Sequence, residues 1–236
     1  MFKTILVKDG RLLKDAQRLR KKVFFAQEGQ DEDSFDKICQ HLLVLNRKSQ
    51  EAVGTYRLLL GSVAKKSLGF YSEQEFDLSK IKKNCKGELL ELGRACVRKD
   101  YRKNRIINLL WKEIIRYMLR HKVKYVFGCA SINNPTPKKI GKIYYLFKKR
   151  YFAPSKFQVK PLKEKRYPYL KNHQNFNEDK VFRLLPSLVR GYLKMGAYVC
   201  SEPVWDKEFN TADFFMLLDV ERMNEKFKTR FYASNS

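Results

Sequence analysis

Between Glu88 and Trp111 the chain reads ELLELGRACVRKDYRKNRIINLLW, and no other stretch restricts the fold as tightly. Leu89, Leu90, Leu92, Ala95, Cys96 and Val97 place apolar side chains on both parities, the pattern of a strand covered on both faces. After Asp100 the turn Tyr101-Arg102-Lys103-Asn104-Arg105 runs into Ile106, Leu109, Leu110, Ile114, Tyr117 and Met118, which recur at helical spacing. A doubly covered strand feeding an amphipathic helix through a short turn points to an α/β fold.

The same stretch carries its chemistry at fixed places. Glu91 and Arg94 interrupt the apolar strand, and a buried charge is costly unless it is paired or used. Strict alternation puts residues three apart on opposite faces, so a β-bulge at Gly93 is expected to realign them. A basic turn at a helix N-terminus offers free N–H groups and a favourable dipole to a phosphate. A carboxylate on the adjoining strand can take a proton from a nucleophile.

Charge is the loudest feature of the composition. Fifty Lys and Arg stand against 25 Asp and Glu, a formal balance of +25 over 236 residues. Residues 138–183 alone carry 14 basic against 3 acidic side chains. Such a concentration suits an acidic protein or an anionic lipid surface. Phe152, Phe157, Tyr167, Tyr169 and Phe176 punctuate it, a mixture that also grips single-stranded nucleic acid. No nucleic-acid-binding module accompanies it, so the lipid or carrier-protein reading is ahead. Cys39, Cys85, Cys96, Cys129 and Cys200 form no CxxC pair, and His41, His121 and His173 are dispersed, so reduced thiols and no metal are expected. No apolar run reaches spanning length and MFKTILVKDGRLL lacks a signal-peptide core, so a cytoplasmic protein, peripheral at most on the inner membrane face, is expected.

Taken in order, Thr4 to Val7 reads as a strand and Leu12, Ala16, Leu19, Val23 and Phe24 as a helix through Ala26. QEGQDEDSFD (27–36) is an acidic loop, with Asp33 or Ser34 as an N-cap. Strands over 41–45 and 53–60 form a hairpin, and Arg57 within the second needs an anionic partner such as Glu91 or Asp36. Ser72 and Glu75 have capping-box spacing before a short helix. A strand over 125–132 is expected across a cleft from the central one, and Pro137 opens the next helix. A helix over 184–195 with Gly196 as C-cap, strands over 198–204 and 214–218, and a helical tail to Tyr232 complete the chain.

The run LELGRACVRKDYR, with VGTYRLLL (53–60), FYSEQEFDLSKI (70–81), FGCASI (127–132) and LPSLVRGYLKMGA (185–197), resembles the ornithine N-acyltransferase branch of the GNAT acyltransferase superfamily. The match covers roughly residues 15 to 220. It implies one domain over residues 1–236, a GNAT-like mixed central sheet with a splayed central strand, flanking helices and a basic insertion at about 138–183. That branch takes a 3-hydroxyacyl group from an acyl carrier protein (ACP) thioester to the α-amine of ornithine, in making an amino-acid lipid.

By the resemblance, Glu91 is the base and Arg94 its catalytic companion, while Asp33, Asp36 and Arg57 lie near the amino-acid acceptor. Arg20 and the run Val97, Arg98, Arg102, Lys103, Asn104 and Arg105 lie on the acyl-donor side, where phosphopantetheine enters and no cofactor is bound tightly. Acetyl-CoA-using GNATs commonly show R-x-x-G-x-G/A here; this chain has R-K-N-R-I-I from Arg102, with no glycine to let a backbone wrap a pyrophosphate. Acyl-ACP is therefore the expected donor and ACP the expected partner, with acyl-CoA as the alternative. An acyl-homoserine-lactone synthase shares Arg20, Asp36, Arg57, Glu91 and Arg94 and remains a rival. So do a CoA-dependent N-acetyltransferase and a non-enzymatic nucleic-acid-binding protein, the last explaining the charge but not the buried acid.

Overall fold

A computed structural model of the chain describes residues 2–103, 105–168, 170, 176–225, 227 and 229. In chain order these form β1 (Phe2–Val7), α1 (Gly10–Phe25), β2 (Gln40–Asn46), β3 (Ala52–Leu60) and the single turn α2 (Gly61–Ala64). Next come β4 (Phe76–Asp77), α3 (Ser79–Asn84), β5 (Glu88–Val97), α4 (Ile106–Arg120), β6 (Val123–Asn133) and α5 (Pro137–Arg150). The last elements are β7 (Lys160–Pro161), α6 (Glu178–Leu184), α7 (Ser187–Met195), β8 (Tyr198–Val199), β9 (Val204–Asp206) and β10 (Thr211–Asp219). Contacts gather them into two compact units, Met1–Phe70 with Glu88–Val123 and Tyr71–Gly87 with Lys124–Ser236.

In the first unit β1, β2, β3 and β5 pair antiparallel in that order. The two helices take opposite faces of this sheet, as the period of two dictates. Ala16 and Leu12 of α1 pack with Leu43 and Leu45, whereas α4 reaches Gly54 and Tyr56, whose neighbour across the sheet is Leu42. Ile106, Leu110, Ile114 and Ile115 of α4 are fully enclosed, each contributing about 1.5–3 kcal/mol of burial. Gly54 is what lets α4 come so close: a Cβ there would meet Ile106 Cγ2 at 2.6 Å.

The bulge expected at Gly93 lies one step further on. Thr55 pairs with Cys96 and Arg57 with Gly93, so Tyr56 faces two residues, Arg94 and Ala95. Arg94 has φ 49°, the left-handed conformation typical of the first bulge residue. A non-glycine residue is seldom held there without compensating contacts.

Strands within the second unit pair antiparallel as well. β10 lies between β6 and β8, with β9 pairing along its first residues, and β4 with β7 makes a separate two-stranded ribbon. Phe214 packs edge-on against Phe147 of α5, while its neighbour Phe215 meets Phe127 and Phe76 on the other face. Thr136 caps α5 and Pro137 opens it, as expected.

Three expectations are corrected in this unit. The helix over 184–195 begins only at Ser187, as α7 with Pro186 at its N-cap, because Pro186 forces Leu185 to an extended ψ of 141° and so ends α6 at Leu184. The strand over 198–204 is also two, because Ser201 Oγ accepts the Phe215 N–H in place of a ladder carbonyl and Pro203 has no N–H to give. Ser72 and Glu75 do not cap a helix. A 3₁₀ turn at Tyr71–Gln74 and β4 precede α3, whose Ser79 N–H bonds Asp77, while Glu75 turns inward. The helical tail expected from Glu221 to Tyr232 opens on a 3₁₀ turn at Val220–Arg222, and its residues 226, 228 and 230–232 lie outside the described residues.

Candidate active site

The acidic loop after α1 is held by three arginines from α1, β3 and β5. Asp33 caps the 3₁₀ turn Ser34–Lys37 by accepting the Phe35 N–H at 2.9 Å, which places Asp36 inside it. Gln17 and Arg20, three apart on one face of α1, are both buried and both donate to Asp36. Arg20 Nε also lies 2.8 Å from Asp31 Oδ2, and its Nη2 donates to the Asp31 carbonyl. Arg57 Nη1 reaches Asp33 at 2.6 Å and Asp36 Oδ1 at 2.9 Å. Arg94, turned by the bulge, bonds Asp33 Oδ2 at 3.1 Å and lies 3.2 Å from Asp31.

Three carboxylates and three guanidiniums thus balance, in a setting where an unpaired one would cost several kcal/mol. Burial alone would raise the Asp36 pKa, but the bonds and charge of Arg20, with Gln17 and Arg57, hold it far below the usual carboxylate range. Arg57 goes the other way: burial disfavours its charge, yet the adjacent Asp33 holds it fully protonated. His41 sits beneath, its Nε2 3.1 Å from the Asp36 carbonyl, and burial lowers its pKa. Openness differs within the network. The Asp36 and Arg20 side chains are 2% and 1% exposed, whereas Asp33 is 23% and Arg94 13% exposed.

Glu91 lies on β5 opposite Leu59 and is buried, 4% exposed. It acts electrostatically on the Cys39 thiol together with Arg57, Asp36 and Asp33, which ties it to the same cluster. Burial, together with the acids, pushes that thiol up to about 12, and burial does the same for Cys96, so neither is a thiolate nucleophile near neutral pH.

The turn after β5 is fastened at its start and open beyond. The Arg98 N–H bonds the Val53 carbonyl, and Asn46 Nδ2 donates to Tyr101 Oη at 2.9 Å. Arg98 spends its guanidinium on Glu51 at 3.0 Å and on Asp100 at 2.9 Å, and stacks over Tyr101. Lys99, Arg102, Lys103 and Arg105 are exposed. Arg102 Nε donates to the Val97 carbonyl, and Arg105 adopts φ 54° ahead of α4, whose first turn has no side-chain cap. Uncapped N–H groups beside four cations make an anion-binding surface. Asn104 lies outside the described residues.

Several expected residues are therefore together: Asp33, Asp36, Arg57 and Arg94 in one network, with Glu91 close by. Two are placed differently from their expected roles. Arg20, expected on the donor side, is enclosed with Asp31 and Asp36, because two carboxylates neutralise it where water cannot. Arg98, expected at the phosphate, is already neutralised by Glu51 and Asp100. Sequence reasoning did not assign Asp31 or Gln17; the helical spacing of Gln17 to Arg20 was the available signal for the latter, and Asp31 had none beyond its acidic neighbours.

The model of the acetyltransferase (GNAT) domain matches residues 17–112, which span α1, β2, β3, β5 and the start of α4. An L-ornithine N(alpha)-acyltransferase of Brucella abortus is 35% identical over 230 residues, covering 90% of this chain and 82% of the relative. One from Rhizobium meliloti is 33% identical over 204 residues, covering 84% and 69%. Among solved structures, FeeM, an N-acyl amino acid synthase from uncultured soil microbes, superposes with a TM-score of 0.57 at 10% identity, covering 94% of this chain and 92% of that one, which shows a shared fold.

Proposed function

The chain belongs to the L-ornithine N(alpha)-acyltransferase family and is an N-acyltransferase of GNAT fold, and we propose that it moves a fatty acyl group from acyl-ACP to the α-amine of ornithine. The observation that carries this reading is Glu91. It is an enclosed carboxylate on the strand that bears the bulge, beside an acid–arginine network, and that strand ends in an open cationic turn.

Each part then has a chemical task. The α-amine is mostly protonated near neutral pH, and Glu91 takes one proton so that the lone pair can attack the thioester carbonyl. The C–N bond forms as the carbonyl π electrons move onto oxygen, and backbone N–H groups freed by the Arg94–Ala95 bulge stabilise that oxyanion. Collapse expels the pantetheine sulfur, which takes the second amine proton and leaves as the thiol, and an amide remains. Asp33 and Arg94, the more open members of the network, meet the charged ends of the amino acid. Asp36, Arg57 and Arg20 hold those two in place from behind.

The donor side follows from charge. Lys99, Arg102, Lys103 and Arg105 are free of the carboxylates that occupy Arg98, and a single phosphate at the α4 N-terminus needs no glycine-rich wrap. An acidic carrier protein is steered to such a surface. The basic segment 138–183 supplies a second cationic surface for anionic lipid, where an acylated amino acid would be delivered.

The test is turnover of the purified protein with matched 3-hydroxyacyl-ACP and 3-hydroxyacyl-CoA against a panel of amino acids, with products identified by mass spectrometry. N-acyl-ornithine formed from acyl-ACP, with a KM that rises with salt, is expected. Transfer from acyl-CoA alone would remove the carrier protein, and a lactone product would move the chain to the autoinducer synthases.

A further inference from the structure

The second unit holds a carboxylate group that the transfer chemistry does not use. Thr211, Asp213 and Phe215 share one face of β10, and Asp206 of β9 is the register partner of Thr211. Asp213 is held by two hydroxyls: Thr211 Oγ1 donates to its Oδ1 at 2.6 Å, and Ser131 Oγ to its Oδ2 at 3.0 Å. Asp206 Oδ1 accepts the Glu208 and Phe209 N–H groups, which fixes its carboxylate at the strand end. Neutral donors thus orient both aspartates.

Glu75 arrives from a separate segment, the 3₁₀ turn before β4, and is 6% exposed. Its Oε2 is buried and accepts no hydrogen bond. One oxygen from each of Glu75, Asp206 and Asp213 lies within 4.8 Å of the others. A buried carboxylate oxygen left without a hydrogen bond is costly, and with two further acids so near it calls for a cation. Burial first, then the charge of Asp213, pushes the Glu75 carboxyl upward against a hydrogen bond with Cys129, and Asp206 adds to the rise.

We propose that Glu75, Asp206 and Asp213 form a binding site for a calcium-sized divalent cation. Hard cations take carboxylate oxygens, the donors that Glu75, Asp206 and Asp213 offer. Calcium accepts such oxygens in flexible geometry, whereas magnesium demands a near-ideal octahedron and gives up its waters reluctantly, so calcium is the cation to test first. Two positive charges also match a cluster that is formally −3 better than a single ammonium would. The site ties the turn before β4 to the β9–β10 hairpin, so occupancy stabilises the second unit. His and Cys spacing carried no sign of it, because its ligands are carboxylates from distant segments.

Terbium(III) substitutes for calcium, and Trp205 beside Asp206 can sensitise its luminescence. Excitation of the wild-type protein should give terbium emission that calcium displaces. Calcium about 100-fold above its Kd should raise Tm by about 5 °C. Glu75→Gln and Asp206→Asn should each weaken terbium binding by about tenfold or more, a loss read from the titration midpoint. Trp205→Phe should remove the emission while leaving the calcium-induced Tm rise. Calcium sites reach Kd values of about 1 mM, so neither emission nor a Tm rise at about 10 mM overturns the site. Emission unchanged in both acid variants places terbium elsewhere and overturns it as well. A Tm rise from putrescine but from no metal gives the pocket to an alkylammonium and overturns the metal.

Discussion

Arg20 and Asp36 form a two-pronged ion pair, Nη1 to Oδ1 at 2.9 Å and Nη2 to Oδ2 at 2.7 Å, with both side chains closed off from water. The pair joins α1 to the acidic loop and sets the height at which Asp33 stands beside Arg57 and Arg94. It is a positioning device, since neither partner is open to a substrate.

Removing one partner should therefore unfold before it inactivates. Asp36→Asn leaves Arg20 with a charge it cannot hydrate and should cost about 3–5 kcal/mol in urea denaturation. The folded-state pKa of Asp36 is depressed, so its contribution is present above its unfolded pKa of about 3.9 and is lost as pH falls towards the folded value. The gap between wild type and variant should accordingly shrink between about pH 4 and pH 2. A constant gap over that window would show that the charge of Asp36 is not what is lost.

At the bulge, backbone and side chain can be separated. Arg94→Gly relieves φ 49°, whereas Arg94→Val keeps it with a β-branched side chain. The valine variant should be less stable than the glycine variant by about 1–2 kcal/mol, read from paired denaturation curves. Equal stabilities would mean that the bulge relaxes once the arginine leaves.

Close approach of α4 to β3 makes a third prediction. Gly54→Ala puts a methyl at 2.6 Å from Ile106 Cγ2 and 3.3 Å from Leu110 Cδ1, at the end of α4 nearest the basic turn. It should cost about 1–3 kcal/mol and raise KM for the acyl donor. Gly93→Ala, with open space where its Cβ would lie, is the control and should shift stability by less than about 0.5 kcal/mol.

Glu91→Gln keeps the shape of the side chain and removes the proposed base. Single-turnover transfer should fall by about 100-fold or more while the Tm holds, the usual scale for a general base. Retained turnover in a folded variant would take Glu91 out of the proton transfer.

What could be read before folding was whatever depends on neighbours along the chain. The parity of apolar residues in β5, the 3.6 period of α1 and α4, the Asp33 cap, Thr136-Pro137 ahead of α5 and Gly196 behind α7 are local, and each appears where its residues required. The motif resemblance added the chemistry of Glu91 and the acidic loop. Partner choice was not local. That Arg20 and Arg98 are consumed by carboxylates, that the bulge falls on Arg94 rather than Gly93, and that Glu75 faces two aspartates instead of capping a helix all depend on side chains brought together across the sheets. A charge has no preferred partner at any sequence spacing; burial selects one by making every unpaired alternative more costly. The chain by itself therefore determined the strand–turn–helix frame and the acids and bases it carries, while tertiary packing decided which arginines remain free to meet a substrate.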